Sequence, residues 1–205
     1  MQQYNEKQIL DLETRYRANL INSLSGFKSA NLVGTINSEG LTNLAIFSSA
    51  VHIGANPPLM SIISRPDSVP RHTLENIVTS DKFTINHVNE AIFRQAHQTS
   101  ARYKNISEFE ATQLTPEFLN DFEAPFVKEA HIKIGLSLAD IIPIKINNTK
   151  MIIGKVEWIY LPENSIEKDG KINLETAGTI AISGLDTYHK TQQIERLPYA
   201  KPTQQ

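Results

Sequence analysis

Apolar positions along the 205 residues fall into two rhythms. Near the start, Ile9, Leu10, Leu12, Tyr16, Leu20, Ile21 and Leu24 recur at three- and four-residue spacing, which suits one face of one or two helices ending at Gly26. From Ala30 the rhythm shortens. ANLVGTINSEGLTNLAIFSSAVHIG holds two β-rich runs split by Asn37-Ser38-Glu39-Gly40, a polar, glycine-ended turn that predicts a hairpin. PPLMSIIS reads as a third strand, bounded by Pro57 and Pro58 on one side and by the stretch from Ser64 on the other.

The segment Thr73 to Ser80 predicts a short helix, with Thr73 as N-cap, Glu75 in the first turn, and Leu74, Ile77 and Val78 facing inward. An alternating strand, KFTINHV, follows, then a helical NEAIFRQAHQ and an irregular stretch to about Asn120. Two longer strands, AHIKIGLSLADIIPIKI and KMIIGKVEWIYL, are joined by Asn147-Asn148-Thr149, a strong turn signal. KINL and GTIAISG predict a last short strand pair, and KPTQQ a loose end. Six or seven strands with hairpin links and few helices imply a mainly β fold, an antiparallel barrel with helices packed outside it. The βαβ rhythm of a parallel sheet is missing. With no internal repeat, low-complexity block or linker, residues 1–205 read as a single domain.

Composition narrows the function classes. At 40% hydrophobic and 20% charged, the chain has the make-up of a packed globular protein. Twenty basic against 22 acidic residues give a net charge of −2, so no global field favours nucleic acid or an anionic membrane. The absence of cysteine excludes disulfides, iron–sulfur clusters, thiolate zinc sites and a cysteine nucleophile, and suits a reducing cytoplasm. MQQYNEKQILDLETRYR is polar from its first residues and no apolar run approaches the roughly 20 residues of a membrane span, so neither a signal peptide nor an anchor is expected. Rossmann and P-loop glycine motifs, a G-x-S-x-G elbow and H-E-x-x-H are absent. The six histidines are dispersed, and no metal site is expected.

One stretch gathers cations, SRPDSVPRHTLENI, from Ser64 to Ile77. A phosphate dianion needs donors from several directions, and here Arg65, Arg71, His72 and the Thr73 hydroxyl meet the amides of a helix N-terminus. Pro66 and Pro70 stiffen the approach. A charge-assisted hydrogen bond contributes about 1.5–3 kcal/mol and the helix dipole about 0.3–1 kcal/mol, so the arginines decide affinity. The same residues also fit a solvated loop whose arginines pair with Asp67 or Glu75, and the pattern alone leaves both readings open. Asn43 with Phe47-Ser48-Ser49 forms a second polar cluster, suited to a flat polar ring or to an exposed strand end.

Together these segments resemble a known family. NLVGTINSEGLTNLAIFSSAVHIGANPPLMSIISRPDSVPRHTLENI and KFTINHV, continued by HQTSARYKNISEFEATQLTP, APFVKEAHIKIG, SGLDTYHK and LPYAKP, are similar to the flavin reductase family of FMN-binding split barrels, especially its flavoredoxin-like members. The resemblance runs from about Leu20 to Pro202. It implies a Greek-key antiparallel split barrel of six strands, a homodimer, and FMN near the dimer interface. It places the isoalloxazine ring against Asn43, Leu44, Ala45, Phe47, Ser48 and Ser49, and the ribityl phosphate against Ser64, Arg65, Arg71, His72 and Thr73. Thr99, Ser100 and Ala101 match a further motif near the flavin. His189 and Tyr199 match C-terminal motifs. The chain departs from the pattern at Ile46, where many relatives have proline, and at Leu197-Pro198-Tyr199, in place of Leu-Ser-Tyr.

The activity so implied is that of an NADH- or NADPH-dependent flavin reductase, in which hydride passes from nicotinamide to flavin and no side chain need act as acid or base. A monooxygenase or an electron-transfer protein would then receive the electrons. The alternatives are a flavoredoxin-like electron carrier without efficient nicotinamide turnover, and a non-catalytic FMN-binding module.

Overall fold

Two consecutive residues, Leu32 and Val33, are both fully buried, because the strand that carries them has a core on each face. The computed structural model describes residues 1–202; the remainder of the KPTQQ segment expected to be loose lies outside the described residues. Two helices, α1 (Glu6–Asp11) and α2 (Thr14–Ser23), precede a two-residue strand, β1 (Lys28–Ser29). The predicted hairpin is β2 (Asn31–Ile36) and β3 (Thr42–Phe47). Its turn is fastened by Asn37, whose Oδ1 accepts from the amides of Glu39 and Leu41, and by Gly40 at φ +83°.

After three residues come β4 (Val51–Ala55) and β5 (Pro58–Ser64), then α3 (His72–Ser80) and β6 (Lys82–His87). The outer connection holds α4 (Phe93–Gln98), α5 (Glu108–Thr112), β7 (Pro116–Glu117) and β8 (Phe126–Val127). The long hairpin β9 (Lys133–Ile144) and β10 (Thr149–Tyr160) turns at Asn148, φ +57°. Two short strands, β11 (Ala181–Ser183) and β12 (Thr187–His189), complete the order.

Seven strands form one antiparallel sheet in the order β3-β2-β6-β9-β10-β5-β4. Its outermost strands, β3 and β4, are joined by only Ser48, Ser49 and Ala50. Four peptide steps reach about 14 Å, whereas the edges of a flat seven-stranded sheet lie about 29 Å apart. The sheet therefore curls until its edges approach, leaving a seam where β3 and β4 do not pair. Beside that seam Ser49 Oγ accepts from the Ile63 amide of β5 at 3.0 Å, extending the β4–β5 ladder with a side chain. The connection through α3 returns the chain from β5 to β6, beside β2, the Greek-key crossing expected of a split barrel.

The barrel interior holds Val33, Ile62, Phe83, Ile85, Leu136 and Ile152, closed by Leu74 and Ile77 of α3. Room for the Phe83 ring depends on Gly154, where an added Cβ would lie 2.5 Å from Phe83 Cζ. A second core on the outer face packs Leu32 and Leu44 against Ile92, Ala96 and Phe109 of the α4–α5 connection and Ile180 and Ile182 near β11.

The two helices expected before Gly26 form as α1 and α2; neither has a buried residue, and Leu10, Tyr16, Ile21 and Leu24 are exposed. Three expectations change. NEAIFRQAHQ is helical only from Phe93, because Asn89 Oδ1 accepts from the Ala91 amide and holds a turn. The irregular stretch before Asn120 contains α5, capped by Ser107. KINL forms no strand beyond a single bridge between Ile172 and Ile166, and GTIAISG pairs instead with β1 and β12.

Candidate functional site

The loop from Arg65 to Arg71 carries the chain from the end of β5 to the start of α3. The helix begins one residue earlier than expected. Arg71, not Thr73, is the N-cap, and no side chain caps it. Glu75 Oε1 accepts from the Arg71 amide at 3.0 Å, while the amides of His72, Thr73 and Leu74 have no acceptor among the described residues. The Thr73 hydroxyl serves elsewhere: Thr73 Oγ1 accepts from Asn43 Nδ2 at 3.0 Å.

That bond belongs to a network tying α3 to the β2–β3 hairpin. Asn43 Nδ2 also donates to Thr35 Oγ1 at 3.2 Å, and Asn76 Nδ2 donates to the same oxygen at 3.1 Å. Thr35, Asn43 and Asn76 are buried, so the two amides and the hydroxyl fix the first turn of α3 beside β3. Thr35 and Asn76 escaped the sequence reading. Thr35 shows only as a polar residue in the mostly apolar run NLVGTI, and Asn76, beside Glu75 in a mixed stretch, leaves no trace.

The arginines do not pair with the neighbouring carboxylates. Arg71 Nε donates to the Pro66 carbonyl at 2.9 Å, and no hydrogen bond engages its terminal nitrogens or the Arg65 guanidinium among the described residues. Asp67 is taken instead by Lys150 Nζ, 2.6 Å away, a contact that holds the Asp67 carboxyl below its ordinary value, with a smaller contribution from Arg71. Ser64 is buried and its hydroxyl donates to the Arg65 carbonyl at 3.3 Å. His72 is exposed.

Along β3 the side chains alternate. Leu44 is fully buried in the outer core, and its amide donates to Glu108 Oε2 at 3.2 Å, another contact the sequence reading missed. Asn43, Ala45 and Phe47 point to the opposite, barrel-side face. Ser48 and Ser49 follow in the seam, half-buried, and the Ser48 hydroxyl has no partner among the described residues. The structure thus brings Asn43 and Thr73 together directly, with Ser64 and Arg71 at the two ends of the intervening loop. It does not bring Thr99, Ser100 and Ala101 to them. Those residues end α4, which packs on the other face of the sheet from α3, and Thr99 Oγ1 donates to the Ala96 carbonyl. His189 bonds Ser183 Oγ through Nε2 at 2.8 Å and lies edge-on to Phe27, which ties β12 to its neighbours, while Tyr199 is exposed.

Two open grooves, of about 330 and 520 Å³, flank the loop and share Asp67, Pro143 and Lys150; Arg71 lines the larger. Neither is lined by Asn43, Phe47, Ser48 or Ser49. Among the described residues no group of three His, Asp or Glu is placed to hold a metal ion, and no helix is long and apolar enough to cross a membrane.

An antiparallel barrel open along one seam, with a helix closing its interior and a cation-bearing loop leading into that helix, is a split barrel. Residues 25–177 match the flavin reductase like domain, and the chain belongs to that family. A solved structure from Shewanella frigidimarina, assigned as a flavin reductase with a split-barrel domain, is 53% identical with TM-score 0.94, covering 98% of this chain and 100% of its own. Nitrilotriacetate monooxygenase component B from Bacillus cereus is 25% identical, TM-score 0.84, covering 96% of this chain and 98% of its own. An Aquifex aeolicus protein without an assigned activity is 27% identical over 161 residues, covering 77% of this chain and 81% of its own length.

Proposed function

We propose that the chain binds FMN along the seam between β3 and β4, with its phosphate at the first turn of α3, and that it is a flavin reductase using NADH or NADPH. One observation carries the reading: three amides at the uncapped end of α3, beside an Arg71 guanidinium whose terminal nitrogens are free, lack acceptors. These are the donors a phosphate dianion accepts. Thr73 adds a hydroxyl whose oxygen is already engaged by Asn43 and whose proton is free to donate.

Two-electron chemistry is what FMN supplies when bound. The chain's own residues position and shield. The Asn43 amide, held by Thr35 and Thr73, and the free Ser48 hydroxyl suit the polar edge of the ring, while Ala45 and Phe47 offer apolar surface to its plane. Leu44 would contribute through its backbone, since its side chain lies in the outer core. No side chain needs to donate or accept a proton for hydride transfer, so none is named as catalytic.

The Shewanella frigidimarina relative supports the flavin reductase assignment, and the Bacillus cereus relative supports a monooxygenase as the recipient of electrons. A homodimer fits the family resemblance, and exposed apolar residues such as Leu24, Phe27, Val51 and Ile53 offer it surface to cover.

The test is an anaerobic visible spectrum of the protein with FMN, followed by NADH and then NADPH. Perturbed flavin bands that bleach rapidly are expected. Bands that are perturbed but persist with both nicotinamides would remove the reductase activity and leave an electron carrier or a binding module. An unperturbed spectrum would remove flavin binding itself.

A further inference from the structure

The corner proposed for the flavin phosphate opens onto a groove that FMN, ending at its phosphate, does not fill. From Arg71 one stripe of α3 runs through Leu74 and Glu75 to Val78, the last about 10 Å along the helix. It faces Ile141 and Pro143 of β9 and Lys150 of β10 across a groove of about 520 Å³. That volume falls within the ~300–1,000 Å³ of small-molecule sites. Polarity is graded along the groove. Its two cations stand at the loop end: Arg71, and Lys150, which lies opposite Ser64 in the strand register and is paired with Asp67. Farther along, Leu74 and Ile141 pack on the barrel core, and Val78 is 60% exposed. Glu75 lies between the two regions. Its Oε1 accepts from the Arg71 amide at 3.0 Å, while no hydrogen bond engages Oε2 among the described residues.

We infer that this groove seats the adenosine half of a dinucleotide, with the base against Leu74, Val78 and Ile141 and a ribose hydroxyl donating to Glu75 Oε2. The inference rests on the phosphate position proposed above and adds what lies beyond it. Three features favour such an occupant. Arg71 belongs to both places, and its unpaired terminal nitrogens form a fork for phosphate oxygens, so a ligand entering the groove from the corner arrives attached to a phosphate. The apolar walls suit a flat ring, and the unpaired carboxylate oxygen between ring and phosphate is an acceptor for a sugar hydroxyl. Finally, Arg71 and Lys150 are balanced by Asp67 and Glu75, with no cation at the Val78 end, which favours a neutral nucleoside there over a further phosphate. Two dinucleotides of flavin reduction carry that half. In FAD the adenylate continues from the flavin phosphate itself; in NADH it trails from the nicotinamide.

Calorimetric titration of the flavin-free full chain with inorganic phosphate and with adenosine 5′-monophosphate isolates what the nucleoside adds, and Val78→Asp tests where it sits. The nucleotide should bind about tenfold or more tightly than phosphate, because covering the base adds apolar burial. Val78→Asp should bring it down to the phosphate level, with a urea midpoint verifying that the variant folds. A nucleotide bound no more tightly than phosphate overturns the inference, and so does a preference that the folded variant keeps. Flavin and nicotinamide titrations then assign the source. FAD bound more tightly than FMN, with the gap closed in Val78→Asp, gives the groove to the flavin's adenylate; equal flavin affinities, with the KM for NADH raised in the variant and kcat retained, give it to the nicotinamide's. The two readings fail separately. A chain that prefers the nucleotide to phosphate but takes up no FMN overturns flavin binding and leaves the groove, whereas one that takes up FMN without that preference overturns the groove alone.

Discussion

Arg71 carries the proposed phosphate contact, with its Nε fastened to the Pro66 carbonyl and its terminal nitrogens unpaired among the described residues. Arg71→Ala should weaken FMN binding about thirtyfold, or ~2 kcal/mol, and leave riboflavin affinity nearly unchanged. Fluorescence titration of both flavins measures this, and equal losses would move the phosphate elsewhere. His87 gives a separate prediction for stability. Burial pushes its imidazole down to about 4, with the Thr179 hydroxyl 3.2 Å from Nδ1. The unfolded chain therefore binds the extra proton first as pH falls. The contribution of His87 to stability is complete above about pH 6.5 and falls by ~3 kcal/mol in all through the window down to about 4. Urea midpoints at several pH values should show that slope, and His87→Gln should flatten it. At this scale the sequence revealed which residues carry charge and hydroxyls but not their partners. Asp67 lies beside two arginines in the chain, yet it pairs with Lys150 from β10, a contact made by folding alone.

Among the elements, α3 and the β2–β3 hairpin act as one unit because Thr35 Oγ1 serves two buried amides. Thr35→Val keeps the shape and removes the acceptor, leaving Asn43 and Asn76 each short of a bond. We expect a loss of about 1–3 kcal/mol in urea unfolding, together with weaker FMN binding as the first turn of α3 loses its tie to β3. Unchanged flavin affinity in a destabilised variant would separate the network from the site. The hairpin also depends on Gly34, where an added Cβ would meet the Pro125 carbonyl oxygen at 2.2 Å and Thr84 Oγ1 at 2.7 Å. Gly34→Ala should destabilise by about 1–3 kcal/mol, read from the shift in urea midpoint. Helix α3 and the two hairpins were legible in the sequence, since short-range rules govern turns at Asn37–Gly40 and Asn147–Thr149. The cap was not. Thr73 is a good cap by type, but Asn43, thirty positions away, engages its hydroxyl.

For the whole molecule, the prediction is a homodimer, visible by light scattering at about twice 23.0 kDa without added flavin. Apolar spacing in α1 and α2 indicated helices with one apolar face, and Leu10, Tyr16, Ile21 and Leu24 are exposed in the single subunit, because periodicity reports that a face is apolar and not what covers it. By itself the sequence determined the β2–β3 and β9–β10 hairpins, helix α3, the antiparallel β character and the cationic stretch from Ser64 to Thr73, all consequences of local pattern and residue chemistry. Tertiary structure alone decided the seam between β3 and β4, which core each face of β3 meets, and the joining of Asn43 to Thr73. Those features depend on strand order and on contacts between residues distant in the chain, which no local window contains.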